Sequence, residues 1–308
     1  MLLGVDVGGT FTDAVLLDEE ELHTAKVPST PSDQSDGVMR AVEAVLQSAD
    51  ARPSDVERFT HGMTVGTNAL LTRSGARTAL IATRGFADLL EIARQDRPSL
   101  YHPCRARPAP LADPGLRFEV AERVGARGVV EELAESEVER LVEEVGRSGA
   151  ESVAVCLLFS FREPAHEQRI AEPLRAALPG VHVSASHEVL PTFREYERCS
   201  TTAIDAYLSP LLGRYLTRLA AACEEAGVPE PTVMRSSGGT AEIAEAARAG
   251  AWSVLSGPAG GAVGAGLLAR LSGADGNAIG LDMGGTSCDV CVVEGGEVRR
   301  TDSRELDG

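Results

Sequence analysis

The chain has 308 residues, 29 basic and 46 acidic, giving a formal net charge of −17 with 43% hydrophobic residues. That length can bury a substantial core and suits about two domains, while dispersed acidic charge argues against nucleic acid or an anionic membrane surface as partner. No basic, apolar, cleavable leader precedes the first strand, and six cysteines lack disulfide-scaffold spacing, so a cytoplasmic, reducing setting is expected.

In chain order, residues 1–28 read as three strands, LLGVDVGG, FTDAVLLD and ELHTAKVP, joined by tight turns. Pro31-Ser32-Asp33 then offers a cap for a helix with apolar residues at Val38, Ala41, Val42, Val45 and Leu46. Short apolar runs at 78–83, 152–159 and 181–185 alternate with helical patterns at 86–95, 135–147 and 164–178, which predicts α/β layers. Five prolines between 98 and 115 predict an irregular surface stretch. A break falls near Pro191. Tyr196 to Cys223 reads as one helical region that Pro210 should end or kink. VMRSSGG (233–239) looks like a strand entering a glycine turn, and Ser256 to Gly261 like a loop feeding a helix of small residues through Ala269.

The most informative pattern is a repeat. GVDVGGTFTDAVLL (4–17) and GLDMGGTSCDVCVV (280–293) share six of fourteen positions at an offset of 276 residues. In each, strand alternation sends an aspartate, Asp6 or Asp282, to the face opposite its apolar neighbours. The glycines that follow let successive backbone N–H groups converge on an anion, and Thr10 and Thr286 add a hydroxyl. A carboxylate beside a phosphate is repulsive alone, so Mg²⁺ held through waters is the natural companion of Asp6 and Asp282. Two ordinary glycine turns with solvent-facing aspartates are the plain alternative.

Other signals narrow the chemistry. Lys26 is the only lysine and no GxxxxGK[ST] loop exists, so phosphate charge must be met by amides, metal and arginine. Cys288 and Cys291 form a CxxC, but on a strand they face opposite sides and cannot readily share a metal. His166-Glu167 and His187-Glu188 lack the second histidine of a zinc-protease motif. The uncharged stretch near 249–269 is long enough to raise a membrane-span question, which its glycines and Pro258 answer in favour of tight packing. Each helical glycine costs about 1 kcal/mol, so Gly260, Gly261, Gly264 and Gly266 imply close approach to a neighbouring helix or to nucleotide, a hinge between half-domains, or a packing loop.

With these hairpins and the small-residue helix before the second, the chain resembles the superfamily of actin, sugar kinases and seventy-kilodalton chaperones. More closely it resembles the hydantoinase A/5-oxoprolinase/acetone carboxylase family, through segments 4–16, 61–101, 186–210, 233–239, 255–265 and 280–290. The resemblance implies two ribonuclease-H-like α/β domains, an N-terminal ATPase domain over 1–190 and the first part of a second over 191–308. It implies ATP and Mg²⁺ as cofactors, with phosphorylation of a cyclic-amide carbonyl driving ring opening, alongside a hydantoinase B-type second subunit. Asp6 and Asp282 match the family's phosphate-motif carboxylates, taken as catalytic and metal-side. Gly8, Gly9, Thr10, Gly284, Gly285 and Thr286 match its phosphate donors, and Gly257 and Gly260 are added on the nucleotide side.

For the substrate, His61, Thr64, Thr67 and Asn68 gather at a predicted helix start, where they hold a carbonyl or form a capping cluster with a solvent-facing histidine. Arg94, Arg97 and Tyr101 suit an acidic substrate or a solvated surface, and Arg194 to Arg198 a salt-bridged helix start. Family members continue past the second hairpin, so a fragment, a split-gene subunit or an inactive remnant is open for a chain of this length. A ketone carboxylase subunit, a regulatory module and a sugar kinase are the competing functions.

Overall fold

The computed structural model describes residues 1–308 apart from Glu20, Pro31, Ser32, Arg97, Pro98, Leu100, Pro103, Ala274, Asp275 and the stretches 284–287 and 300–308. Gly284, Gly285 and Thr286 of the second hairpin, and Arg97, therefore lie outside the described residues. The meander β1 (Leu2–Val7), β2 (Phe11–Asp18), β3 (Glu21–Pro28) leads to α1 (Gln34–Ser48), β4 (Arg58–Met63) and α2 (Val65–Leu71). Then come β5 (Thr78–Thr83), α3 (Leu89–Ile92), β6 (Ala112–Val120), β7 (Arg123–Gly125), β8 (Gly128–Glu131), α4 (Glu135–Ser148), β9 (Ser152–Cys156), α5 (Ala165–Ala177), β10 (His182–Ala185) and α6 (Ser186–Val189). The remainder is α7 (Glu195–Ala226), β11 (Thr232–Met234), β12 (Thr240–Ala241), α8 (Ile243–Ala246), α9 (Ser256–Leu271), β13 (Ala278–Met283), β14 (Cys288–Glu294) and β15 (Glu297–Val298).

Two compact units emerge. One gathers Met1–Thr72, Leu212–Arg248 and the described residues from Trp252 on; the other gathers Arg73–Leu211 and Ala249–Ala251. In the first, a mixed six-stranded sheet runs in the order β12-β11-β4-β1-β2-β3, with the meander antiparallel and β4 and β11 parallel to β1. Alternation buries Leu3, Val5, Val7, Thr12, Ala14 and Leu16 on one face. Against that face α1 lays Val38, Ala41, Val42, Val45 and Leu46, all buried, and a Cβ on its Gly37 would stand 3.4 Å from Thr12 Oγ1. Each valine or leucine so withdrawn from water contributes roughly 1.5–3 kcal/mol. The expected cap forms, Asp33 accepting from Ser35 N–H at 3.1 Å. The same unit holds the sheet β13-β14-β15.

The second unit carries a parallel sheet in the order β10-β9-β5-β6. Both faces are covered. Ile81, Val153 and Val155 pack with Leu141, Val145, Ile170 and Leu174 on one side, while Leu80, Ala82, Ala154 and Cys156 pack with Cys199, Ala203 and Ala206 on the other. Burial on both faces explains why these strands read as unbroken apolar runs.

Several elements depart from the sequence expectation. Pro210 does not end α7, which runs unbroken from Glu195 to Ala226. Pro210 has no N–H to give the Ala206 carbonyl, and the next carbonyl, that of Tyr207, accepts from Ala76 N–H outside the helix at 2.9 Å. Ser256 to Gly261 is not a loop but the opening of α9. Pro258 falls in the first turn, where its missing N–H has no intrahelical partner to lose. The 86–95 pattern yields only Leu89–Ile92, stopped by Ala93 at φ 49°. The run 152–159 leaves the ladder after Cys156, since Leu157 gives its N–H to the Glu167 carboxylate and its carbonyl to Arg198. The proline-rich stretch contains the start of β6. No helix among the described residues is long and apolar enough to cross a membrane.

Candidate active site

β1 delivers Asp6 as alternation requires: Val5 and Val7 are buried while Asp6 points to the other face and stays solvent-accessible. Its carboxyl lies between backbone segments that carry no side chain. A Cβ on Gly62 would stand 2.8 Å from Asp6 Oδ1, and one on Gly257, in the first turn of α9, 3.4 Å from the same oxygen. That enclosure removes enough hydration to be the largest cause raising the Asp6 pKa above the ordinary carboxylate value. The carboxylates of Asp13 and Asp282 raise it further. Asp13 is the cross-strand partner of Asp6, as Asp289 is of Asp282. The two repeated aspartates thus lie within electrostatic reach of one another.

The first glycine turn is built to expose amides. Gly8 N–H is spent on Phe11 O at 2.9 Å, closing the hairpin, and Ser29 anchors the turn through its hydroxyl to Gly8 O at 2.8 Å. The N–H groups of Gly9 and Thr10 are left without a protein partner among the described residues. Asn68 Nδ2 approaches Gly9, 3.7 Å from where a Cβ would be. Lys26, the single lysine, holds Asp13 at 2.6 and 2.8 Å rather than facing the turn.

The start of α9 is fastened in place. Its N-cap residue Leu255 adopts a left-handed φ of 63°, a conformation a leucine keeps only where its surroundings impose it. Leu255 N–H donates to Thr67 Oγ1 at 3.0 Å, and Ser256 Oγ donates to Met63 O at 2.9 Å. Thr64 donates its hydroxyl to Val7 O at 2.7 Å, and Asn68 reaches Thr64 Oγ1 at 3.5 Å. Further along α9, Ala265 meets the second hairpin, 3.1 Å from where a Gly280 Cβ would lie. Gly260 and Gly266 sit against Met234 and Val298, whereas nothing lies within 4 Å of a Cβ on Gly261 or Gly264.

Structure therefore brings Asp6, Gly8, Gly9, Thr10, Thr64, Asn68, Gly257 and Asp282 into one region of the first unit. It does not place His61 at that surface. His61 is fully buried, with Nε2 2.7 Å from Tyr215 Oη and Nδ1 3.2 Å from Val5 O. Burial lowers its pKa to about 4, so the ring is neutral at ordinary pH. The solvent-facing histidine of the capping alternative is corrected accordingly: β4 turns His61 inward. Arg94, in the second unit, is engaged in an ion pair with Glu197. Arg198 is a buried anchor rather than part of a salt-bridged helix start, donating to Ser186 Oγ, Thr192 O and Leu157 O. Sequence reasoning passed over Gly62, whose only signal was a glycine inside a strand.

The donor set suits a hydrated cation. Carboxylates crowd one another without an arginine or lysine at Asp6, and no group of three or more His, Cys, Asp or Glu among the described residues is arranged to cage a metal directly. A small divalent ion that keeps its waters needs only one or two carboxylates, and the open amides of Gly9 and Thr10 add anion donors beside it.

Comparison with known proteins agrees with this architecture. The sequence model of the hydantoinase/oxoprolinase N-terminal region matches residues 2–178, and that of hydantoinase/oxoprolinase matches residues 198–308. The chain belongs to the hydantoinase/oxoprolinase family. It is 36% identical to caprolactamase subunit alpha of Pseudomonas jessenii over 96% of this chain and 43% of that one. An uncharacterised protein of Methanocaldococcus jannaschii is also 36% identical, over 99% of this chain and 45% of its own length. Among solved structures, nucleotide-free acetone carboxylase superposes with a TM-score of 0.85 at 27% identity, covering 96% of this chain and 44% of that one. The ATP-dependent caprolactamase of P. jessenii superposes at 0.84 with 33% identity, covering 95% and 43%. The chain spans less than half the length of these relatives.

Proposed function

We propose that this chain is the ATP-binding part of an enzyme that phosphorylates the carbonyl oxygen of a cyclic amide and so drives ring opening, working with a second subunit. The observation that carries the reading is the convergence of Asp6 and Asp282 beside a glycine turn with open amides. An amide is a poor electrophile; attack of its oxygen on the terminal phosphorus of ATP expels ADP and leaves a phosphate-bearing carbon that water can attack, phosphate departing. In this reading Asp6 and Asp282 hold the hydrated Mg²⁺ of the nucleotide, which supplies charge neutralisation at the transferring phosphoryl group. Gly9 and Thr10 donate to phosphate oxygens, and the first turn of α9 at Gly257, with Gly260 beyond it, borders the nucleotide. Thr64 and Asn68 fix the turn's outer side, and His61 acts from beneath, holding β1 through Val5.

The strand order β3-β2-β1-β4-β11, antiparallel then parallel, supports a ribonuclease-H-like first half, and the repeated hairpin supports a second half of the same kind. Named relatives support the chemistry: one is a caprolactamase described as ATP-dependent, another an ATP-dependent acetone carboxylase. The latter favours a second reading, in which the phosphorylated species is a ketone's enol and bicarbonate-derived carbon is added to it.

ADP release by the chain assembled with its partner subunit tests both. Stimulation by caprolactam or 5-oxoproline, abolished by Asp282→Ala, is the expected result. Stimulation only by a ketone with bicarbonate selects the second reading, and unchanged turnover in Asp282→Ala rejects the site.

A further inference from the structure

The first unit buries a polar pair that a packed core does not require. His61 of β4 is completely buried, and Tyr215, on the stretch of α7 that belongs to this unit, is 7% exposed. Val5 assigns the role of each. Its carbonyl can only accept, so His61 Nδ1, 3.2 Å away, carries the ring proton and donates it. Burial keeps the ring neutral, which leaves Nε2 a bare lone pair, and the Tyr215 hydroxyl 2.7 Å away donates to it. Burial, and after it the charges of Asp33 and Asp6, push the Tyr215 pKa up, so that proton stays in place. Burying two polar side chains costs free energy that an apolar pair would not. Fixing a register is the best-attested use of such groups.

Register matters most at Asp6. The carbonyls on either side of it are both held by side chains of β4 and the residue that follows: Val5 O by His61, and Val7 O by the Thr64 hydroxyl at 2.7 Å. In that register Gly62, the only glycine in β4, stands opposite Asp6. A Cβ on Gly62 would lie 2.8 Å from Asp6 Oδ1, so a slip of one residue would set the side chain of His61 or Met63 against the carboxylate. We propose that Tyr215 is a positioning residue of the phosphate site: by donating to His61 it locks β4 onto β1 at Val5, keeps Gly62 opposite Asp6, and so holds that carboxylate where the hydrated cation needs it. The proposal rests on Asp6 serving the cation, as in the proposed function. Tyr215 acts only through His61.

Variants of the pair separate positioning from packing. Tyr215→Phe removes one oxygen and strands the His61 lone pair, and His61→Leu fills the space without a donor for Val5. His61→Gln keeps both bonds, because an amide can donate to Val5 O and accept from Tyr215. Each variant, in the 308-residue chain and where circular dichroism shows it folded, is read for Mg·ATP affinity by titration calorimetry and for the Asp6 carboxyl titration by carboxyl-carbon NMR, the Asp6 signal being the one that Asp6→Asn removes. Tyr215→Phe and His61→Leu are expected to weaken Mg·ATP binding by at least about fivefold and to bring the Asp6 titration down toward the ordinary carboxylate range, with His61→Gln restoring both. If Tyr215→Phe does not fold, His61→Leu against His61→Gln decides alone. An Asp6 titration that stays at its wild-type position in the folded variants, or equal losses in His61→Leu and His61→Gln, would overturn the proposal and leave the pair as packing. The carboxyl titration uses no nucleotide, so a wild-type chain that fails to bind Mg·ATP rejects the ATP reading while the Asp6 signal still decides the positioning.

Discussion

Asp6 in the first unit and Glu167 in the second are both acidic side chains set against protein, and they are treated in opposite ways. Glu167 is completely buried yet accepts four hydrogen bonds, from Leu157 N–H, the Ser186 hydroxyl, His187 N–H and His187 Nδ1, at 2.7–2.9 Å. Asp6 retains solvent access but receives no donor among the described residues and faces Asp13 and Asp282 instead. A buried charge whose lone pairs are all satisfied fixes a fold. A carboxylate left to repel its neighbours costs stability, and such groups persist where a ligand offsets the cost.

The strongest way to break this contrast is Glu167→Ala, which strands four donors in the second unit and is expected to cost about 3–5 kcal/mol in urea denaturation. A loss below about 1 kcal/mol would mean the network is not structural. Next comes pH. His61 has its folded pKa lowered to about 4 by burial. Its contribution is therefore complete above the ordinary value of 6.5 and is lost as pH falls toward 4, on the order of 3 kcal/mol. His182 is also held near 4, by burial and by Arg175, so the diagnostic quantity is the difference between wild type and His61→Gln. Parallel pH profiles would remove His61 from the account.

Asp6→Asn should act in the opposite direction to Glu167→Ala. Because the folded pKa of Asp6 is raised, its charged form is unfavourable at neutral pH and the wild-type fold gains stability as pH falls through that pKa. The variant is expected to be more stable at neutral pH by about 0.5–2 kcal/mol and to lose that slope. Destabilisation would contradict the reading of Asp6 as an unpaired charge. Smallest is Lys26→Ala, which breaks an exposed pair with Asp13: a change of about 0.2–1 kcal/mol in thermal or urea unfolding, with the Asp6 titration moved further upward.

Much of the first unit was legible in local pattern. The meander, the Asp33 cap and α1 follow from alternation, turn glycines and a 3.6-residue stripe, and the duplicated motif singles out Asp6 and Asp282. What failed to read were features set by partners distant in sequence. His61 looked polar and accessible because its partner Tyr215 lies 154 residues away. Pro210 looked like a helix end, yet α7 runs through it from Glu195 to Ala226. The Glu167 and Arg198 anchors draw on residues scattered between Leu157 and Arg198 and leave no spacing signal.

The central claim is that Asp6 and Asp282 serve one cation-dependent phosphate site, and titration calorimetry of Mg·ATP into the 308-residue chain tests it most directly. The account predicts binding that vanishes without Mg²⁺ and weakens at least about tenfold, or ~1.4 kcal/mol, in each of Asp6→Asn and Asp282→Asn. Wild-type affinity in either variant, or binding indifferent to Mg²⁺, would contradict it.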